Sequence, residues 1–237
     1  MRSKQTITAL AAIAVTGATA AAAIGTAGAA DTPGGPQFSN PRKIDNPYLP
    51  ITTRTRCEHR GKDHDGTRTR SVQTVLNRTR RFTINGQRVD AVVVRDKAYA
   101  NGKLVEVAFD YFAQSDDRAV YYLGEHVDNY ERGKLANHKG TWLLGKHTDV
   151  PGVAMPASPK TGDQFRFEDV PGVTAESNRV EETGMRGKAA GRVHRNVIRI
   201  QEFIQPEGEV EYKLYAPGVG KITEYPPDGR AELKSCR

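Results

Sequence analysis

The sequence predicts an all-β protein, an antiparallel meander that forms a barrel or a strongly curved half-barrel sheet with few short helices. Three observations predict it. Apolar and polar residues alternate with period two through most of the chain, tight-turn pairs punctuate that alternation, and no helical pattern longer than about three turns lies outside the first 30 residues. With 237 residues, 37% hydrophobic and 27% charged, the chain suits a single core, and neither a disordered polymer nor a membrane bundle fits.

Residues 1–30 read as a secretory signal. Arg2 and Lys4 give a positive start, an apolar stretch runs from Ile7 to Ile24, and the small residues around Ala29 and Ala30 suit cleavage there. Export to the extracellular space or the cell envelope follows, and nothing else in the chain is apolar enough to span a bilayer. Losing Arg2 and Lys4 takes the net charge from +7 to +5, still basic. Export also favours oxidation of the two thiols, so Cys57 and Cys236 are expected to form a disulfide closing almost the whole domain.

Residues 31–51, rich in Pro and Gly, form an extended arm, and residues 52–237 form the one β domain. A strand begins near Thr52 and a second runs from about Thr67 to Thr83, with Asp65-Gly66 as the hairpin between them. Asn85-Gly86 and Asn101-Gly102 then set two two-residue hairpins, which fix a register. In it Phe82 faces Val89, Arg80 faces Ala91, Lys97 faces Glu106, Arg95 faces Ala108 and Val93 faces Asp110. After a loop at Ser115–Arg118, Phe112 faces Tyr121 and Asp110 faces Leu123. Residues 126–137 read as a short helix or a connection, Gly140–Leu144 as a strand and 145–162 as a long loop. The tail is a meander with strands near 192–204, 209–215, 219–225 and 230–236. Pro-Gly-Val at 151–153, 171–173 and 217–219 marks type II turns.

On this register one sheet face carries the core residues Val105, Val107, Phe109, Tyr111 and Ala113. The other gathers Arg78, Arg80, Arg95, Lys97, Glu106, Asp110, Phe112, Tyr121 and Glu125. That face reads either as a solvated surface of cross-strand ion pairs or as a concave ligand site. In the second reading Arg95, Lys97, Asp110, Phe112, Tyr121 and Glu125, with Trp142 from the next strand and Met155 from the long loop, contact the ligand.

Asp110-Tyr111-Phe112-Ala113-Gln114, Tyr121-Tyr122-Leu123-Gly124-Glu125 and the Pro151–Pro159 segment, together with Asn46-Pro47-Tyr48-Leu49-Pro50, resemble a family of uncharacterised secreted bacterial proteins over roughly residues 40–235. The ending Tyr215–Ile222 is similar to a hairpin of exported half-barrel proteins, including those akin to lipoprotein carriers. The chain departs from the family at Tyr111-Phe112, commonly Trp-Tyr, and at Arg118-Ala119-Val120, commonly Gly-Asn-Val. The resemblance implies fold and export and carries no activity.

No Gly-x-Ser-x-Gly or His-Glu-x-x-His motif is present, and neither cysteine has a reactive setting. The enzyme reading therefore rests on Glu106, Asp110 and Glu125 as a carboxylate pair of a hydrolase acting on an envelope polymer, opposed by Arg95 and Lys97, which would hold the acids ionised. A concave site with a raised carboxylate pKa would favour that enzyme, and an exposed ion-paired face the binder. No cofactor and no metal site are expected: Cys57, His59 and His64 lack zinc-finger partners, Asp110, Asp116 and Asp117 lack a wrapping loop, and His126, His138 and His147 read as isolated surface histidines. Residues 52–97 hold twelve Lys+Arg and five Asp+Glu, net +7, whereas residues 98–182 hold nine and fourteen, net −5. The basic part suits an anionic envelope polymer. The alternative partner is a small polar or amphipathic ligand. Nucleic acid is not expected, since stacking aromatics are missing from the basic strands, and a monomer is. The function expected is non-catalytic binding or scaffolding outside the cytoplasm.

Overall fold

The structure, a computed structural model, describes residues 35–205 and 208–237. The signal segment and the first residues of the arm lie outside the described residues. The expected meander is present. Its strands are β1 (Arg56–Asp63), β2 (Arg68–Ile84), β3 (Gln87–Ala100), β4 (Lys103–Gln114), β5 (Val120–Glu131), β6 (Lys134–Asn137) and β7 (Trp142–Leu143). They continue with β8 (Gly152–Met155), β9 (Gln164–Val170), β10 (Thr174–Ala189), β11 (Arg192–Gln205), β12 (Glu209–Ala216), β13 (Gly220–Tyr225) and β14 (Gly229–Cys236). All pairings between these strands are antiparallel, in the order β6-β5-β4-β3-β2-β1-β14-β13-β12-β11-β10-β9, with β7 and β8 also laid on β5. The first and last strands therefore pair in the middle of the sheet. The disulfide joins Cys57 to the residue directly opposite it, Cys236.

The two ends of the sheet approach each other without a strand pair. At Gly152 of β8 a Cβ would lie 1.8 Å from the Phe167 carbonyl oxygen of β9, so only glycine permits this approach. The Pro-Gly-Val turns at 171–173 and 217–219 have glycines at φ 75° and 69°, but Gly152 is a strand residue without positive φ. The expected 145–162 loop is thus interrupted by β8, which lies between β5 and β9. Residues 126–137 are not helical: β5 runs on to Glu131 and turns into β6, because Arg132 and Gly133 take the left-handed conformation of a tight hairpin.

The curl buries both faces in the first half of the sheet. Its inner face packs Val92, Val94, Val120 and Tyr122 against Val180, Ile198, Ile200 and Tyr215 of the second half, with Trp142 and Met155 fully buried between. The opposite face of β2–β5 buries Phe82, Val89, Val93, Tyr111 and Leu123 under Phe38 of the arm and Leu144. The arm is therefore part of the core, with Ile44 fully buried. Buried Asn46 fixes it: its Nδ2 donates to the Arg118 and Pro156 carbonyls at 2.8 and 3.0 Å, while Gln114 Oε1 accepts from the Asp45 and Asn46 amides at 2.9 and 2.8 Å. The Asn46–Pro50, Asp110–Gln114 and Pro151–Pro159 segments thus meet at one hydrogen-bonded joint. A third cluster, with Ala189, Val197, Ile222 and Leu233, forms where the tip of the β10–β11 hairpin meets β13 and β14.

The Asn-Gly corners behave as expected, Asn85 and Asn101 at φ 48° and 49°, and the pairs Ile84↔Gln87, Phe82↔Val89 and Ala100↔Lys103 form. Farther from the turns the predicted register fails. An extra residue, Val105, bulges β4 between Leu104 and Glu106, so Glu106 pairs with Ala98, Asp110 with Val94 and Arg95 with Phe109. In β2 the expected pairs hold as far as Arg80↔Ala91 and Thr79↔Val92, and an irregularity follows between Thr79 and Val75. The loop after β4 is one residue longer than expected, so Gln114 pairs with Val120 and Phe112 with Tyr122, and a second bulge, at Gly124 (φ 122°), then brings Asp110 opposite Glu125. A Cβ at Gly124 would meet the Trp142 carbonyl oxygen at 2.4 Å. Each one-residue slip moves side chains to the other face.

Candidate functional site in the acid-lined interior

Directly paired residues of antiparallel strands share a face, so the inner face can be followed from strand to strand. It carries Asp96 of β3, Glu106 and Asp110 of β4 and Glu125 of β5. From the other half come Glu168 of β9, opposite Glu176 of β10, then Asn178 opposite Glu202 of β11, Glu202 opposite Glu211 of β12, and Lys213 opposite Glu224 of β13. The two sets are one environment: Glu125 and Asp110 feel the charge of Glu168, and Asp96 that of Glu224.

Of the expected ligand contacts, Asp110, Phe112 and Glu125 lie on this face together with Glu106. Arg95, Lys97 and Tyr121 do not. Arg95 and Lys97 pair with Phe109 and Val107 on the opposite face, and Tyr121 packs edge-on against Phe38 with ring centroids 5.5 Å apart. Burial pushes the Tyr121 hydroxyl up to about 12. Met155 is fully buried packing. Trp142 is also fully buried, but its Nε1 donates to Glu168 Oε1 at 3.1 Å, so it orients one of the acids.

With Arg95 and Lys97 turned away, the expected cationic restraint on the carboxylates is missing. Burial, followed by the Asp96 charge, pushes Glu106 up to about 7. Asp110 lies well above the carboxylate range for the same two reasons, although Tyr122 Oη donates to its Oδ1 at 3.1 Å. Glu125 is also well above, through burial and then Glu168. Burial raises Glu168 and Glu211 to about 7 and carries Glu176 well above its ordinary value. Asp110 and Glu125 are nevertheless only half-buried by surface area while protein surrounds them densely. They sit on the inner side of the curl, where part of their surface stays accessible.

Beside the acids, Phe112 and Phe167 each stack on Tyr122 with centroids 4.9 Å away, and Trp142 meets Tyr122 edge-on at 5.3 Å. This aromatic block forms an apolar wall. Across from it Lys213 is ion-paired with Glu202, with Glu224 at 3.4 Å and with Glu211 at 3.9 Å, and Lys221 binds Glu224 at 2.9 Å. Burial opposes the charge on both Glu224 and Lys213. For Glu224 the Lys221 and Lys213 ammonium groups outweigh it, and for Lys213 the surrounding carboxylates do. Two acceptors remain open: Glu176 Oε1 and Asn178 Oδ1 are buried without a hydrogen-bond partner.

The residues the sequence reading missed are Asp96, Tyr122, Glu168, Glu176, Asn178, Glu202, Glu211 and Lys213. For Asp96 and Glu202 the signal is an acid at the inward position of an apolar alternation, as in Val92-x-Val94-x-Asp96 and Ile200-x-Glu202-x-Ile204. Comparison of the chain with protein-family models, curated proteins and solved structures finds no match.

A stability profile follows. Glu106, Glu168 and Glu211 shift from an ordinary 4.5 to about 7 in the fold, so between those values the folded chain holds more protons than the unfolded one. Their contribution is complete below 4.5 and is lost as pH rises through 7. His59, lowered to about 4 by burial, acts in the opposite direction, mostly below its ordinary 6.5. Between pH 6.5 and 8 the acids dominate. Urea unfolding at those two pH values should show about 1–3 kcal/mol more stability at the lower one. A flat profile, or one rising towards pH 8, would contradict the protonated interior.

Proposed function

We propose that the protein is an exported binding protein that holds a small polar ligand on the inner side of its curled sheet, with the ligand's hydrogen-bond donors turned towards the open acceptors. The open acceptors of Glu176 and Asn178 carry this reading, because a buried acceptor without a donor costs about 1–3 kcal/mol that a ligand donor recovers. The aromatic wall around Tyr122 supplies apolar contact, as small-molecule sites generally do. An anionic polymer does not suit an acid-lined face, so of the two expected partner classes the small ligand fits the interior. The disulfide is compatible with an oxidising compartment, and no helix among the described residues is long and apolar enough to cross a membrane.

A carboxylate hydrolase is the second reading, and the adjacent, raised pair Asp110 and Glu125 on an inward face meets the expectation stated for it from the sequence. Acid and base work requires two groups whose pKa values are driven apart. Here burial drives Glu106, Asp110 and Glu125 the same way, which supports binding over catalysis. Native mass spectrometry of protein purified from its own host tests the binder. A retained small-molecule mass that is lost in Glu176→Gln is expected. A bare chain mass, together with hydrolysis of an envelope polymer that stops in Asp110→Asn, would overturn it in favour of the enzyme.

A further inference from the structure

On the face opposite the inner acids, His126 and Asp128 stand two residues apart on β5 and so point the same way. His138 arrives beside them from the turn after β6. Read along the sequence these are scattered surface residues. In the fold the three side chains bring one ligand atom each to within 4.8 Å of one another, and among the described residues this is the one such group. His126 Nε2 lies 3.2 Å and His138 Nδ1 2.9 Å from the same atom, Asp128 Oδ1.

The turn carrying His138 is tied to β5 on both sides. The Val127 amide donates to Thr141 Oγ1 at 2.9 Å, and Asn129 Nδ2 donates to Asn137 Oδ1 at 2.9 Å and to the Lys139 carbonyl at 3.1 Å. The His138 ring is further held by the Val127 carbonyl, 2.9 Å from its Nδ1. The His126 ring lies against Phe109, centroids 6.4 Å apart. The donors are thus positioned by backbone and packing rather than by flexible stems, while the side chains keep 43%, 21% and 51% exposure for His126, Asp128 and His138, enough for an ion to reach them.

We propose that His126, Asp128 and His138 form a Zn²⁺ site. Two imidazoles and one carboxylate suit a borderline transition ion in four-coordinate geometry, with water at the fourth position, whereas Ca²⁺ requires six to eight oxygens. Bond lengths of about 2.0–2.2 Å place tetrahedral donors about 3.4 Å apart. The two separations from Asp128 Oδ1 need to open by only a few tenths of an ångström. On binding, His138 gives up its contact with the Val127 carbonyl or presents its other ring nitrogen, and any proton on the ligating nitrogen passes to solvent.

Calorimetric titration of the chelator-treated purified protein with Zn²⁺ tests the site, and Co²⁺ serves as the spectroscopic probe. One equivalent should bind, and the Co²⁺ form should show the visible absorption of a four-coordinate N/O site. His126→Ala and His138→Ala should each weaken Zn²⁺ binding more than about tenfold, while the metal-free variants still unfold cooperatively as the parent does. Absence of stoichiometric binding would overturn the proposal. So would an equivalent that survives the double histidine variant, or one lost in Glu176→Gln alone, which would locate the ion among the interior acids.

Discussion

Replacing Cys57 and Cys236 together by serine is expected to lower the unfolding free energy by as much as about 5 kcal/mol. The two cysteines are 179 residues apart in the chain yet directly opposed on β1 and β14. Opening the link frees nearly the whole domain in the unfolded state. In the native sheet the adjacent backbone pairing stays available, since the Arg56 amide donates to the Arg237 carbonyl at 2.9 Å and the Arg237 amide returns the bond at 3.0 Å. The loss is therefore mainly a property of the unfolded chain. Denaturant midpoints with and without reductant measure it. A change below about 1 kcal/mol would mean that residual structure already holds the two strands together when the chain unfolds.

Lys213→Met should cost nearly as much, about 3–5 kcal/mol at neutral pH. Lys213 is the cation shared by Glu202, Glu211 and Glu224, and the Glu202 side chain keeps only 3% exposure. Removing the ammonium leaves buried carboxylates facing one another, with Lys221 answering Glu224 alone. The deficit should narrow as pH falls, because acids relieved of their cation can take up protons. The Lys213→Met/Glu202→Gln pair should recover part of it, since the charge that lost its partner is then gone. Chemical unfolding of the single and double variants at pH 5 and pH 8 gives both comparisons. A Lys213→Met loss under about 1 kcal/mol, or one independent of pH, would show that the interior is far more hydrated than its surroundings imply.

Much of the architecture is legible without coordinates. The Asn85-Gly86 and Asn101-Gly102 pairs place two hairpins, the proline-glycine punctuation after Gln205 places three more strands, and the cysteine pair closes as export chemistry suggests. Asp110 and Glu125 could be singled out as neighbours, but the company they keep could not. Side-chain direction has a period of two, so a single inserted residue reverses it, and bulges at Val105 and Gly124 lie between the turns and the site. Gly124 carries a hint, being a lone glycine in a strand pattern. What it answers is the Trp142 carbonyl, eighteen residues farther along, and contact with a distant backbone leaves no local trace. The second half of the acid lining was harder still, since Glu168 and Glu176 come from β9 and β10, which have no Asn-Gly corner to anchor a register. His126 and His138 were visible as residues, and only the β5–β6 hairpin makes them neighbours.

The pairing of β1 with β14 also sets an order of assembly. The other hydrogen-bonded neighbours in the sheet lie close together along the chain, so β1–β8 and β9–β14 can each zip up by local steps. Only the central seam waits for the final strand. A chain interrupted before Gly229 would possess nearly every ribbon of the fold and still be two unjoined panels, each exposing an edge in what should be the middle of the sheet.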